Sequence, residues 1–164
     1  MEPKDTINKL ESSKEFKSWI TKNKNSYLVH IFRMFDVDEF QIGYYNKDDT
    51  ITTFIVNDKV ETIPKTKIFK PGKEKVPKLE IGKVKIDFEK AFGLANEIQK
   101  KDFAVHVPIK KIAILQKLKL GQVYNITFLT QTFKMLNLKI NSSDGKVVKK
   151  ELVPIIEFKS PHEK

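Results

Sequence analysis

The sequence predicts an α+β protein in which two helix-plus-antiparallel-meander units follow one another along the chain. Two observations support this fold class. The stretch from Phe40 to Glu61 reads like the stretch from Tyr124 to Val148, and a helical pattern precedes each of them. Composition agrees, because 164 residues with 40% hydrophobic and 10% aromatic side chains suffice for a buried core.

The similarity between the two stretches is ungapped over three predicted strands. Adding 84 to the residue numbers pairs Phe40 with Tyr124 and Ile42 with Ile126, on one face of a strand at period two. The same offset relates the following strands and also the preceding runs, YLVHIFRMF and KIAILQKLKL. This register predicts an internal duplication. The alternative is that any two helix-then-meander units look alike at this level.

Each copy begins with a helix signal. Ser12 and Glu15 have the spacing of a capping box ahead of an apolar stripe, and Asp87 can cap the second helix. The helix residues expected to press into the sheets are Trp19, Phe88 and Phe92. The helices are offset by 72 rather than 84, so the second copy is expected to insert about twelve residues around KKDFAVHVP before its first strand.

The connector between the copies is rich in lysine and proline. Pro64, Pro71 and Pro77 exclude a helix there and disfavour a central strand, while Ile68 and Phe69 are candidates to anchor the connector to the core. The predicted organisation is a first unit at 1–62, the connector at 63–83, a second unit at 84–158 and a tail at 159–164. The two sheets can join edge to edge or pack as one body.

The second unit closes with LKINSSDGKVV, from Leu138 to Val148, after a helix and three strands. With this order and ending the second half resembles the PepSY domain, in which a strand, a turn of the type Asp-x-x-Thr-Gly and another strand end the module. Asn141 and Asp144 stand where that family prefers Asp and Thr, and Gly145 matches. The resemblance implies a non-catalytic module that restrains peptidases or senses ligands outside the membrane.

The charge raises the question of a nucleic-acid partner. The formal net charge is +10, but Arg33 is the one arginine among 31 cationic residues. Lysine neutralises phosphate, whereas reading base edges favours arginine. Non-specific nucleic-acid binding through the lysines between Lys65 and Lys85 is therefore the less favoured alternative to a protein or peptide partner.

Catalytic and metal-binding patterns are not evident in the sequence. There is no cysteine, and His30, His106 and His162 are too scattered for a helical metal pair, so we expect neither a metal site nor a cofactor. We expect His30 to be a tolerated strand or edge residue. No phosphate loop or nucleophile motif occurs, and the chain is predicted not to be an enzyme. The alternative is a small enzyme whose paired carboxylates meet only in space.

The predicted function is a non-enzymatic module that presents a sheet edge or a hairpin tip to a protein or peptide. Because neighbouring strand residues face opposite sides, Tyr44 should point inward and Tyr45 outward as an aromatic anchor. The candidate partner-binding residues at the two tips are Tyr45, Lys47, Asp48, Asp49, Thr130, Gln131 and Thr132.

The N-terminal sequence bears on localisation. MEPKDTINKL has no apolar h-region, and no run approaches the ~18 apolar residues of a membrane span. As written, the chain is expected to be cytoplasmic, with no transmembrane segment. A chain from which a leader has been removed would look the same and would lie outside the cytoplasm. The sequence does not determine the oligomeric state.

Overall fold

A computed structural model describes residues 2–67 and 75–157 of the chain. The helices are α1 (Pro3–Glu11), α2 (Lys14–Lys22) and α3 (Phe88–Asp102). The strands are β1 (Tyr27–Met34), β2 (Phe40–Tyr45), β3 (Thr50–Val56), β4 (Val60–Lys67), β5 (Pro108–Leu118), β6 (Gly121–Thr130), β7 (Lys134–Asn141) and β8 (Val147–Pro154). Short 3₁₀ turns lie at Ile81–Lys83 and Ile155–Glu157. The predicted α+β class is confirmed.

The eight strands form one antiparallel sheet in the order β4-β3-β2-β1-β5-β6-β7-β8. Two four-stranded meanders therefore meet edge to edge through β1 and β5, which is the first of the two arrangements expected from the sequence. The helices pack on one face of this sheet, because residues of all three helices share a core cluster with strand residues such as Ile42 and Ile126.

The central strands show where the offset of 84 fails. Ile31 pairs with Ile42, whereas Ile126, which lies 84 residues after Ile42, pairs with Ala113. Ala113 rather than Leu115 is therefore the equivalent of Ile31 in the second half. The expectation of one ungapped register over three strands is wrong for the first strand of each half. A shift of two residues keeps every side chain on its face of the sheet, so the hydrophobic pattern cannot reveal it.

The pairing of β1 with β5 has a symmetric form. Because Ile31 is equivalent to Ala113, the residues that follow them, Phe32 and Ile114, are also equivalent. These two residues pair directly with each other. A junction in which equivalent residues face each other has the geometry of an isologous interface. For β2 and β3 against β6 and β7 the offset of 84 holds, since Ile42 pairs with Phe54 and Ile126 pairs with Leu138.

The N-terminal region contains one more helix than predicted. Helix α1 occupies Pro3–Glu11, and Ser12 closes it, with its hydroxyl donating to the carbonyl of Asn8 at 2.8 Å. The predicted capping box at Ser12 is therefore wrong. The N-cap of α2 is Ser13, whose hydroxyl accepts from the backbone N–H of Phe16 at 3.1 Å.

Helix α3 begins at the predicted cap, since Asp87 accepts from the backbone N–H of Lys90 at 2.7 Å. The expected insertion before β5 is wrong in its position. The loops that follow α2 and α3, residues 23–26 and 103–107, are of similar length, and the additional residues lie in α3 itself, which has 15 residues against 9 in α2. The two helices also end alike, because Asn23 and Phe103 adopt nearly the same backbone angles.

Aromatic side chains fill the core under the helices. Phe16 and Trp19 of α2 contact Tyr44 at centroid distances of 5.2 and 5.5 Å, and Phe88 of α3 lies 5.0 Å from Tyr124. Phe88 and Phe92 are buried as expected, whereas Trp19 is half-buried. The edge-to-face and tilted ring arrangements are those that aromatic pairs prefer.

The connector returns to the first meander before α3 begins. Its first residues, 63–67, belong to β4, an edge strand in which a proline at 64 removes no hydrogen bond from the sheet interior. Leu79 is buried and donates its backbone N–H to the carbonyl of Leu28 at 2.9 Å. The expected anchors Ile68 and Phe69 lie outside the described residues. So do Phe158 and the predicted tail at 159–164.

His30 lies in the central strand β1, which is the first of the two positions expected for it, a strand or an edge. Its ring covers Gly43 on the face of the sheet opposite the helices, and burial lowers the pKa of the imidazole. A Cβ atom at Gly43 would lie 2.3 Å from His30 Cε1. The glycine is therefore required by the histidine that packs on it.

Replacing Phe92 with alanine should lower the free energy of unfolding by about 3–5 kcal/mol, because the ring is buried between α3 and the sheet. Urea denaturation measures the change. The exposed Val105 supplies the control, since Val105→Ala should stay within about 0.5 kcal/mol of the wild type. A cost below about 1 kcal/mol for Phe92→Ala would mean that another face of α3 is buried.

Replacing Gly43 with alanine should cost about 1–3 kcal/mol, because the new methyl group overlaps the His30 ring. In a His30→Ala background the same change should cost less than about 1 kcal/mol, and a double-mutant cycle measures the coupling. Gly93→Ala on the exposed side of α3 is the control, and it should stabilise the protein. Equal costs for Gly43→Ala in both backgrounds would show that the ring is not the obstacle.

Candidate functional site

The two predicted tips lie at opposite ends of the sheet. β2 and β6 run in opposite directions, since β2 is antiparallel to β1, β1 to β5, and β5 to β6. The turn after β2, with Lys47 to Asp49, is therefore far from the turn after β6, with Thr130 to Thr132. The candidate residues cannot form one binding surface, and each tip must be judged by itself.

Tyr45 is not the exposed anchor that the alternation of side chains predicts. It faces away from the helices, as expected, but only 4% of it is exposed. Its ring packs on Tyr27 of the neighbouring strand at a centroid distance of 5.4 Å, and its hydroxyl bonds to the carboxylate of Asp49. Tyr45 is therefore a structural residue on the second face of the sheet, and its assignment to a partner site is wrong.

The turn after β2 is stabilised by its own polar groups. Asp48 accepts a hydrogen bond from the Thr50 hydroxyl at 2.5 Å and lies 3.4 Å from the Lys65 ammonium, and these interactions hold the pKa of its carboxyl below the usual value. Asp49 has a positive φ of 61°, which aspartate tolerates better than most residues. Lys47 is exposed beside them. These acidic side chains shape the turn.

The same end of the sheet carries a basic cleft. It has a volume of about 390 Å³. Its lining residues are Lys22, Asn23, Lys24, Asn25, Ser26, Asn46, Lys47, Asp48 and Lys65. Asn46 is buried at its base and is fully engaged, donating to Thr50 and Thr52 and accepting from Ser26 at 2.6 Å. Four lysines face one carboxylate, so the cleft is electropositive.

The turn after β6 is organised by Thr130. Only 1% of Thr130 is exposed, and its hydroxyl donates to the carbonyl of Lys134 at 2.7 Å and lies 2.9 Å from the hydroxyl of Thr132. Gln131 and Thr132 are exposed, and Thr132 lies 2.7 Å from Nδ1 of His106. Of the three predicted residues at this tip, Thr130 is structural and the other two face solvent.

Exposed apolar side chains surround this second tip. They form a surface that we call the apolar end, consisting of Val105, Val107, Ile109, Phe133 and Ile156. Backbone hydrogen bonds bring the three chain segments together. Gln131 donates to the carbonyl of Val107 and Ile155 donates to the carbonyl of Phe133, both at 2.9 Å.

Phe133 is the most unusual member of the apolar end. Its side chain is 78% exposed, and its backbone has a positive φ of 59°. A bulky residue in the left-handed region is an outlier, because its Cβ is crowded by the backbone, and asparagine or glycine would fit the turn better. The turn thus carries a large aromatic ring at a position where local energetics favour a small residue.

Lysines border the apolar end. Lys100 and Lys101 close α3, and Lys110 and Lys134 lie on the two strands beside Phe133. The Lys150 ammonium lies 3.5 Å from the Asp102 carboxylate, so one of the nearby acidic groups is already paired. The apolar end and the lysines that border it together favour a partner that has apolar side chains next to carboxylates.

Titratable groups give little indication of catalysis. Within residues 2–67 and 75–157, no three His, Asp or Glu side chains come close enough together to hold a metal ion. Glu2 and Asp87 lie at the N-termini of α1 and α3; burial, and then Asp87, raises the pKa of Glu2. Asp87 is also the N-cap of α3, which accounts for its position structurally. No helix in the described part of the chain is long and apolar enough to cross a membrane.

Comparisons with known proteins show a shared fold and no family. No protein-family model matches the chain, and no curated protein matches it. Among solved structures, a "putative lipoprotein" from Clostridium difficile 630 is similar, with a TM-score of 0.50 and 16% sequence identity over 84% of this chain and 90% of that chain. At this identity the likeness concerns the fold alone.

Sequence reasoning missed most of the apolar end. Val105 and Val107 lie in the run KKDFAVHVP, the predicted insertion, and Ile109 and Ile156 are not among the predicted site residues. The feature of the sequence that could have indicated this surface is the alternating apolar run next to Pro108. Whether such a run is buried or exposed depends on neighbours distant in sequence, which a local pattern does not report.

Replacing Phe133 with glycine should raise the free energy of unfolding by about 1 kcal/mol, because glycine removes the left-handed strain while little buried surface is lost. Thr132→Gly is the matched control in the same turn. It should lower stability, because Thr132 does not have a positive φ and loses its contact with His106. Thermal or urea unfolding measures both variants, and a destabilised Phe133→Gly protein would mean that the ring supports the fold.

Proposed function

We propose that this protein is a non-enzymatic binding module that recognises a protein or peptide partner through its apolar end. The observation that carries the proposal is Phe133, an aromatic ring that is 78% exposed on a backbone of positive φ. Strained conformations persist where the surrounding structure holds them, and they cluster at functional sites. A strained aromatic side chain that contributes little to the core is well placed to anchor a partner.

The neighbours of Phe133 support this assignment. Val105, Ile109 and Ile156 are each more than half exposed, and backbone hydrogen bonds from Gln131 and Ile155 join their chain segments to the turn that carries Phe133. Scattered apolar residues on a surface need no explanation, whereas a group of them at one end of a sheet is typical of an interaction site. In protein interfaces a few such anchors, often aromatic, contribute most of the binding free energy.

The edge strand β8 extends this surface. It ends at Pro154, beside Lys134 of β7, and leads directly into Ile156. Its outer backbone groups can pair with an extended peptide, while Lys110 and Lys134 on the strands beside Phe133 favour acidic side chains in that peptide. The partner we propose is therefore an extended segment that combines apolar anchors with Asp or Glu.

We further propose that the two halves are PepSY-like repeats and that the module acts outside the cytoplasm, where it modulates a peptidase. The matching registers of β2 with β3 and of β6 with β7 support the repeat. The lipoprotein description of the Clostridium difficile protein supports the setting. Nucleic-acid binding stays the weaker alternative, because Lys65, Lys83 and Lys117 already lie within 3.5 Å of carboxylates.

The test selects peptides from a random displayed library on the full chain and measures their affinity by fluorescence anisotropy. Phe133→Ser and Ile156→Ser should each weaken the selected peptides about tenfold or more, because each removes an exposed apolar anchor without touching the core. The dissociation constants of acidic peptides should also rise with salt.

Leu120→Ser is the matched control. Leu120 is 51% exposed in the turn between β5 and β6, at the opposite end of the sheet, so its replacement should leave the affinity unchanged. Peptides that bind Phe133→Ser as tightly as the wild type would contradict the proposed surface. A labelled oligonucleotide in the same assay at low salt tests the alternative, and its failure to bind would remove it.

A further inference from the structure

The basic cleft at the end of β2 lies outside the proposed partner surface and has an unusual lining. Its volume of about 390 Å³ falls within the range of small-ligand sites, roughly 300–1,000 Å³. Most such sites are lined mainly by apolar side chains. In the described part of the chain, this cleft is lined by lysine, asparagine, serine and aspartate alone. Its ligand must therefore be hydrophilic, because the lining offers nothing on which a hydrocarbon chain can pack or an aromatic base can stack.

The charge of the cleft is positive because its four lysines outnumber its one aspartate. Lys65 lies 3.4 Å from Asp48, and these two charges offset each other. Lys22, Lys24 and Lys47 are exposed and make no ion pair within the described residues. Lys22 closes α2, where the helix dipole favours a cation, but Lys24 and Lys47 have no such structural role. The like charges repel one another, and an anion in the cleft would relieve that repulsion.

A buried polar network fixes the segments that carry these lysines. Asn46, at the base of the cleft, is 3% exposed and donates to two threonine hydroxyls of β3 at 3.0 and 2.9 Å. It also accepts a hydrogen bond from the Ser26 hydroxyl at 2.6 Å. This last bond joins the loop that contains Lys24 to the turn that contains Lys47. The two segments are thus held together before any ligand arrives, which lowers the entropic cost of binding.

The second half shows that this type of turn does not require lysines. Asp49 and Phe133 are related by the offset of 84, and both have a positive φ, of 61° and 59°. Asn46 and Thr130 are related by the same offset, and both are buried. The same backbone turn therefore carries a basic cleft in the first half and the apolar end in the second.

We propose that the basic cleft binds a hydrophilic ligand that carries two or more phosphate groups, such as a sugar bisphosphate. Lys22, Lys24 and Lys47 bind the phosphates, and the exposed Asn25 amide is available to the hydroxyl groups of the ligand. Lysine binds phosphate as a point charge, whereas planar pairing with a carboxylate favours arginine, which the cleft lacks. A phosphoinositide headgroup has the same chemistry, so the ligand is either free or part of a lipid.

Two probes distinguish these sources. Isothermal titration calorimetry of the full chain with fructose 1,6-bisphosphate at low ionic strength should give saturable binding that weakens as salt is added. Fructose itself should not bind, because it lacks the charges. Sedimentation with phosphatidylcholine vesicles, with and without phosphatidylinositol bisphosphate, tests the lipid source. Binding of the sugar bisphosphate alone identifies a free ligand, and sedimentation that requires the phosphoinositide identifies a lipid headgroup.

Two double variants with the same change in net charge separate the cleft from the general positive charge of the chain. Lys24→Gln with Lys47→Gln should weaken binding about tenfold or more, because two phosphate-binding cations are lost. Its melting temperature should stay the same or rise, since like-charge repulsion is removed. Lys14→Gln with Lys59→Gln is the matched control. Both residues are exposed, at the start of α2 and in the turn between β3 and β4, so the affinity should not change.

The aspartate of the cleft provides a variant that should bind more tightly. Asp48→Asn removes the negative charge and keeps an oxygen that can accept from the Thr50 hydroxyl. It also frees the Lys65 ammonium from its carboxylate partner. The affinity for fructose 1,6-bisphosphate should therefore rise several-fold.

Three results would overturn the proposal. The first is a wild-type chain that binds neither the sugar bisphosphate nor the phosphoinositide vesicles. The second is equal weakening by the two double variants, which would mean that any surface lysine serves. The third is weaker binding by an Asp48→Asn protein that melts at the wild-type temperature. Phe133→Ser should leave this affinity unchanged, so this test and the peptide test fail or succeed separately.

Discussion

The antiparallel pairing of β1 with β5 is the constraint on which the rest of the structure depends. Both strands are apolar on both faces, with Ile31 and Leu115 under the helices and Phe32 and Ile114 on the other side. Such strands are poorly suited to a sheet edge, where they would expose apolar surface and unpaired backbone groups. Their pairing places them at the centre of eight strands. It also leaves the lysine-bearing strands β4 and β8 at the edges.

The sequence predicts those features of this fold that follow from local periodicity. The alternation of apolar residues locates the outer strands, and the cap at Asp87 locates the start of α3. A slip of two residues in the central strands leaves the pattern unchanged, so the true equivalence of Phe32 with Ile114 cannot be read from it. Helix α1 was missed because its apolar side is short, with Ile7 and Leu10 among mostly polar residues.

The candidate site could be predicted only in part, since exposure is decided by neighbours across the sheet. Alternation places Tyr45 on the correct face, but Tyr27 on the adjacent strand covers it. Phe133 follows the predicted tip at Thr130–Thr132 by one residue, and its exposure results from a turn in which Thr130 takes the buried position. Equivalent ends of the two halves thus differ in chemistry: one is a basic cleft and the other is apolar.

The central pairing also bears on how the chain reaches this structure. Ile31 and Leu115, which are paired, lie 84 residues apart, whereas the strands within each meander are joined by short turns. Closing a long loop lowers the conformational entropy of the chain before any contacts of that loop have formed, so non-local strand pairing is slow. Each meander is therefore able to form early, while the edge of β1 or β5 that later joins the two meanders is still unpaired. Until these strands join, the newly made chain carries two apolar edges, and this is the interval in which it is most prone to aggregate or to exchange halves with another copy.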